Sequence, residues 1–168
     1  YDRYYNEWHG VDGEMSHFGR PEPFKQSQLF NHRPIQDTIT SLICHGTFWR
    51  FPDAKVALVE NGGSWVPEHL AYLDQVALKS PGAYEAKPSE TFVQSVWVQM
   101  NHEEDPRPVI DCIGVERVLF GSDYPHVEGL ADPLSYVSDI SDLPFDDQSK
   151  IMGGNMLGLM GITTLAAR

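Results

Sequence analysis

The stretch Arg117-Val118-Leu119-Phe120-Gly121-Ser122-Asp123-Tyr124-Pro125-His126 puts an acid, an aromatic ring and a histidine directly after a short apolar run. A carboxylate is a hard oxygen ligand and a base of adjustable pKa, and a histidine three residues on can line a site or hydrogen-bond a substrate. Val118 to Phe120, closed by Gly-Ser, reads as a strand buried on both faces. Asp123 and His126 then fall just past its end, where parallel α/β sheets carry their chemistry. The alternative is a polar turn in which Asp123 caps the next helix.

Further elements must position these groups. Pro34 opens a helix with Ile35, Ile39, Leu42 and Ile43 on one face, and Gly46 marks its end. Val56-Ala57-Leu58-Val59 reads as a buried parallel strand ending in the acid Glu60, with Asn61-Gly62-Gly63 as its turn. Pro67 to Leu78 follows as a helix with Leu70, Leu73 and Ala77 inward, stopped by Ser80-Pro81-Gly82. Phe92 to Val98 predicts a further buried strand, with Gln94 and Gln99 hinting at a polar end. A short helix from about Asp105 runs to Gly114. Asp132-Pro133 is an N-cap followed by proline, and a last helix from Pro144 carries Ile151, Met152, Leu157 and Met160, weakened by Gly153-Gly154. Alternating strands and helices predict βαβ units and a parallel α/β sheet. Residues 1–33, rich in Tyr, His, Gly and Pro, read as a long loop or lid. His9 and His17 within it read as exposed histidines, and His45 as a satisfied packing residue.

Composition narrows the partners. A net charge of -12 over 168 residues argues against nucleic acid or an anionic membrane. No apolar stretch is long enough to span a bilayer. Cys44 and Cys112 sit in apolar helical patterns and read as buried free thiols of a reducing compartment, so cytoplasm is the expected location. Position 1 is Tyr rather than Met, which reads as a processed, excised or incomplete chain. Walker, dinucleotide-binding, Cys-x-x-Cys and nucleophile-elbow motifs do not occur.

Two segments together carry a resemblance. His45-Gly46-Thr47-Phe48-Trp49-Arg50-Phe51-Pro52-Asp53-Ala54-Lys55-Val56-Ala57-Leu58-Val59-Glu60-Asn61-Gly62-Gly63-Ser64-Trp65-Val66-Pro67 resembles the sixth βα unit of the amidohydrolase-related superfamily. Leu119-Phe120-Gly121-Ser122-Asp123-Tyr124-Pro125-His126 resembles its eighth strand. The branch is that of the aminocarboxymuconate-semialdehyde and γ-resorcylate decarboxylases, and the similarity runs over roughly residues 33 to 165. The resemblance implies a (β/α)8 barrel with a divalent metal, zinc or alternatively manganese. A closed barrel needs about 250 residues, so the chain would hold the C-terminal part, about strands six to eight. Residues 1–33 would be the loop after strand five, and residues 34–168 the barrel part. The family's His-x-His pair does not occur in this sequence.

The same resemblance assigns roles. Asp123 matches the aspartate that binds the metal and orients or deprotonates water. Glu60 stands where the decarboxylases carry a catalytic histidine, if the strand is the anchor; anchoring on the glycine turn puts Asn61 there instead. Glu60 is then a general acid/base or substrate anchor, against the alternative of a salt-bridged strand end. His126 would line the site or pack behind it, and Trp65 and Tyr124 would wall an aromatic pocket or serve the core. The implied activity is a metal-dependent hydrolase or decarboxylase of a small cyclic or aromatic substrate. With one expected ligand present, the isolated chain is expected to bind metal weakly and to be inactive. The other reading is a non-catalytic barrel remnant, whose exposed sheet edges call for self-association or a partner.

Overall fold

The computed structural model describes residues 31–127 and 129–162. The chain divides into two units, Tyr1–Asn31 and His32–Arg168, and the sheet with its covering helices belongs to the second. The predicted lid, with His9 and His17, lies outside the described residues except for its last three positions.

Three parallel strands form the sheet, in the order β1 (Val56–Leu58), β2 (Val96–Met100), β3 (Val118–Phe120). Val56 pairs with Val96 and Val98 with Val118, so the strands run in step and leave the sheet at one edge. All five residues of β2 are buried, as expected of a central strand rich in Val and Trp. β1 stops at Leu58 rather than reaching Val59, which is half exposed. The cause is Glu60, whose φ of 58° turns the chain out of the ladder.

Helices cover the sheet. α1 (Arg33–Cys44) starts at proline and buries Ile39 and Ile43, with Ile35 and Leu42 packed alongside, as its periodicity predicts. After the short α2 (Thr47–Arg50) and β1, α3 (Val66–Leu78) buries Leu70 and Leu73. The predicted strand from Phe92 is corrected: Phe92 to Ser95 close a helix, α4 (Pro88–Ser95), and the strand begins at Val96. Pro88, Phe92 and Ser95 are its buried residues, an i, i+4, i+7 stripe. Asp74 of α3 accepts a hydrogen bond from the Ser89 N–H at 3.0 Å, satisfying one of the helix's orphan donors. Gln94 is exposed on this helix; Gln99 is the polar residue that lies in the strand.

α5 (Arg107–Ile113) ends at Gly114, φ 84°. Beyond β3, the Asp132 carboxylate accepts from the Leu134 N–H at 3.2 Å and opens a single 3-10 turn, followed by α6 (Tyr136–Asp139). The last predicted helix is broken into α7 (Phe145–Ser149), a wider turn over Lys150–Gly154 and α8 (Asn155–Leu159). The break falls at Gly153-Gly154, Ile151 is buried, and Met160 is exposed. Both cysteines are free and exposed rather than buried, because the inward stripes take Ile39 and Ile43 in α1 and Val109 and Ile113 in α5. His45 is likewise exposed, though its Nδ1 is satisfied by the Ser41 carbonyl at 2.9 Å. Among the described residues no helix is long and apolar enough to cross a membrane.

Candidate active site at the leaving edge of the sheet

β1 delivers Glu60 into a left-handed conformation that a glycine would adopt more readily. Two side chains, Gln99 and Glu104, hold Glu60 and the turn after it. The Glu60 N–H donates to Gln99 Oε1 at 2.7 Å. Farther along the turn, the Glu104 carboxylate accepts from the N–H groups of Gly63 (2.9 Å) and Ser64 (3.0 Å), and it also accepts from the Asn101 N–H just past β2 (3.0 Å). Burial alone would push the Glu104 pKa up, but these hydrogen bonds outweigh it and hold the carboxyl below its ordinary value. The closeness explains the glycine pair. A Cβ on Gly62, φ 60°, would lie 2.8 Å from Glu104 Oε1, and one on Gly63 would lie 2.3 Å from the Met100 sulfur.

β3 delivers Asp123 in the same way, with φ 55°. The Asp123 carbonyl accepts from the His126 N–H at 2.8 Å, and the Ser122 carbonyl from the Leu130 N–H at 2.8 Å. Gly129 is required inside this loop, since a Cβ there would meet the Asp123 carbonyl oxygen at 2.4 Å. Asp123 does not cap the next helix; that cap is Asp132.

These two exits bring Glu60, Asp123 and His126 together. One ligand atom from each lies within 4.8 Å of the others, and His126 Nδ1 is 3.6 Å from Asp123 Oδ1. Asp123 is half-buried while Glu60 and His126 are exposed. Two carboxylates and an imidazole at this spacing suit a divalent cation or a proton relay. Glu60 rather than Asn61 enters the group. The Asn61 side-chain amide turns back to the Val59 carbonyl at 2.6 Å. Trp65 lies in the core, its Nε1–H shared between the carbonyls of Asn61 (3.3 Å) and Gly62 (3.1 Å). Tyr124 is 65% exposed. Gln99 and Glu104 were not among the residues predicted for a site. Gln99 signals itself as one polar residue in an apolar run; Glu104, in Asn101-His102-Glu103-Glu104-Asp105, has no distinguishing signal.

Known proteins share this chain's sequence and fold. The amidohydrolase family model matches residues 15–157. The 2-amino-3-carboxymuconate-6-semialdehyde decarboxylase of Dictyostelium discoideum is 29% identical over 133 residues, covering 74% of this chain and 36% of its own length. A crystal structure of an amidohydrolase from Mycobacterium avium subsp. paratuberculosis superposes with a TM-score of 0.84 at 33% identity, over 98% of this chain and 40% of the other. The 5-carboxyvanillate decarboxylase of Sphingomonas paucimobilis gives a TM-score of 0.59 at 26% identity, over 75% and 39%. The chain thus spans about two fifths of the length of these relatives.

Proposed function

Because this chain belongs to the amidohydrolase family, we propose that it supplies about strands six to eight of a metal-dependent (β/α)8 barrel enzyme. The reaction is hydrolysis or decarboxylation of a small cyclic or aromatic substrate. The observation that carries this reading is the meeting of Glu60, Asp123 and His126 at the leaving edge of parallel strands. The sheet supports it too: among the described residues β1 and β3 each have one neighbour, and their outer edges call for further strands. Two of the relatives are decarboxylases.

The donor set fits a divalent cation. Bonds of about 2.0–2.2 Å need ligand atoms no more than about 4.4 Å apart, a few tenths of an ångström inside the observed spacing of 4.8 Å. Asp123 would hold the ion, zinc or manganese, with histidines outside this sequence completing its shell. When bound, such an ion polarises a substrate oxygen and acidifies water.

Asp123 orients the water and takes its proton. Glu60, facing it from the exit of β1 on the far side of β2, delivers a proton to the leaving group in hydrolysis, or to the ring carbon that loses carbon dioxide in decarboxylation. His126 hydrogen-bonds the substrate, and the exposed Tyr124 ring gives it an aromatic wall. Asn61 and Trp65 act behind this front, through the turn that carries Glu60.

The test uses the protein expressed from its full reading frame. Metal content is measured together with carbon dioxide release and hydrolysis on cyclic and aromatic carboxylates, esters and lactones. Asp123→Asn is expected to lose bound metal and to lower kcat/KM by about 10²–10⁴-fold. A wild-type protein without stoichiometric divalent metal, or an Asp123→Asn variant of full activity, overturns the reading.

A further inference from the structure

Gln99 is out of character with its strand. Its neighbours in β2 are Val, Trp and Met, and at 5% exposure its amide is as buried as they are. A methionine of similar reach would fill that space without the cost of burying an amide. What the amide does is visible in its contacts. Oε1 accepts the Glu60 N–H at 2.7 Å, and Nε2 donates to the Met100 carbonyl at 2.5 Å. The rest of the side chain packs close against the exit of β3: a Cβ on Gly121 would stand 2.7 Å from Gln99 Cδ and 2.8 Å from its Cγ. One buried side chain therefore touches the exit of β1 at an acid and the exit of β3 two residues before the other acid.

Glu60 depends on that contact. With φ 58° its N–H has left the ladder between β1 and β2, which ends at Leu58 and Val98. Gln99 receives that N–H in place of the strand. We propose that Gln99 is a positioning residue for the reaction: acting through the Glu60 backbone and the Gly121 contact, it sets the separation between the Glu60 and Asp123 carboxylates. This rests on Glu60 and Asp123 being the reacting pair. Gln99 itself touches no substrate. A misplacement of about 1 Å in such a pair lowers turnover by about 10²-fold.

Gln99→Met keeps the length and the packing on Gly121 but removes the acceptor. In the full-length protein we expect kcat to fall about 10- to 100-fold with KM within about threefold, and with metal content and Tm close to wild type. Hydrogen exchange at the Glu60 amide, followed by mass spectrometry on the metal-free protein, is expected to quicken. Gly121→Ala pushes on the Gln99 side chain from the other side; it should lower kcat with KM and metal content held, at a cost in Tm from the added methyl, which covers the case in which Gln99→Met does not fold. A kcat within about threefold of wild type, or unchanged exchange at Glu60, overturns the proposal. Parallel loss of kcat, metal and Tm also overturns it, because the sheet edge would then simply be coming apart. An inactive, metal-free wild type whose Glu60 amide still exchanges faster in Gln99→Met overturns the premise, the reaction itself, while leaving the contact in place.

Discussion

At the entering edge of the sheet, Arg117 lays its guanidinium 4.2 Å from the centre of the Trp97 ring, and Lys55 sets its ammonium 5.9 Å from the same ring. Arg117 Nε also donates to the Val93 carbonyl at 2.5 Å. Trp97 is 6% exposed. At the leaving edge the sign of the charge reverses: Glu60 and Asp123 stand in left-handed conformations beside a solvent-facing His126. The first edge closes the sheet with contacts that lower its energy, namely cation on aromatic ring and donor on carbonyl. The second holds two acids on backbone that side chains rarely adopt, which raises it. Parallel strands in register make the division unavoidable, since every strand enters at one edge and leaves at the other.

Substitutions can break or sharpen this contrast. The largest effect is the loss of turnover in Asp123→Asn; with both proteins stripped of metal, so that lost ligand binding does not enter the comparison, the substitution leaves Tm unchanged or higher, and a clear fall in Tm would blur the contrast. Trp97→Ala should do the opposite. It is expected to cost about 3–5 kcal/mol in urea unfolding, while kcat per folded molecule stays near wild type. Glu104 tests the boundary between the edges, since it is a leaving-edge acid that serves structure. Glu104→Gln is expected to cost about 2–3 kcal/mol near neutral pH. Because folding lowers the Glu104 pKa from an ordinary value of 4.5, its contribution is full above that value. The gap between variant and wild type should close as pH falls through the folded-state pKa. A gap that does not change with pH would remove the charge from the explanation. The smallest effect concerns Tyr136, whose ring stacks on Phe120 at 4.8 Å while its buried hydroxyl has no hydrogen-bond partner among the described residues. Burial pushes that hydroxyl's pKa up to about 12. Tyr136→Phe should be neutral or stabilising by about 1 kcal/mol in thermal melts, and a loss of more than that would reveal a partner for the oxygen.

Elements with their own local signal were legible in the sequence. Pro34 with its stripe, the Val118–Phe120 run and the Asp132-Pro133 cap all lie where the pattern puts them. Phe92 to Val98 misled because a short apolar run does not distinguish a buried helix end from a strand. The proline at position 88, four residues before Phe92, was the sign that decides it. For the site, the strand ends pointed to Glu60, Asp123 and His126, which the fold does bring together. Glu104 was not legible as part of it, and Gln99 was legible only as a polar residue closing an apolar run. They work on backbone N–H groups 39 and 41 residues away, and a backbone amide leaves no mark in the residue types.

The left-handed backbone at Glu60 and Asp123 has a consequence for how this protein can change. A side chain in that conformation costs about 1–2 kcal/mol that glycine avoids and asparagine partly avoids. Replacing Glu60 by Gly or Asn, or Asp123 by Gly, therefore relaxes the backbone and removes one of two facing acids. A population of variants selected for heat resistance would drift toward Gly or Asn at Glu60 and toward Gly at Asp123, and one selected for turnover would shed them. Durability and activity pull against each other at the same pair of residues.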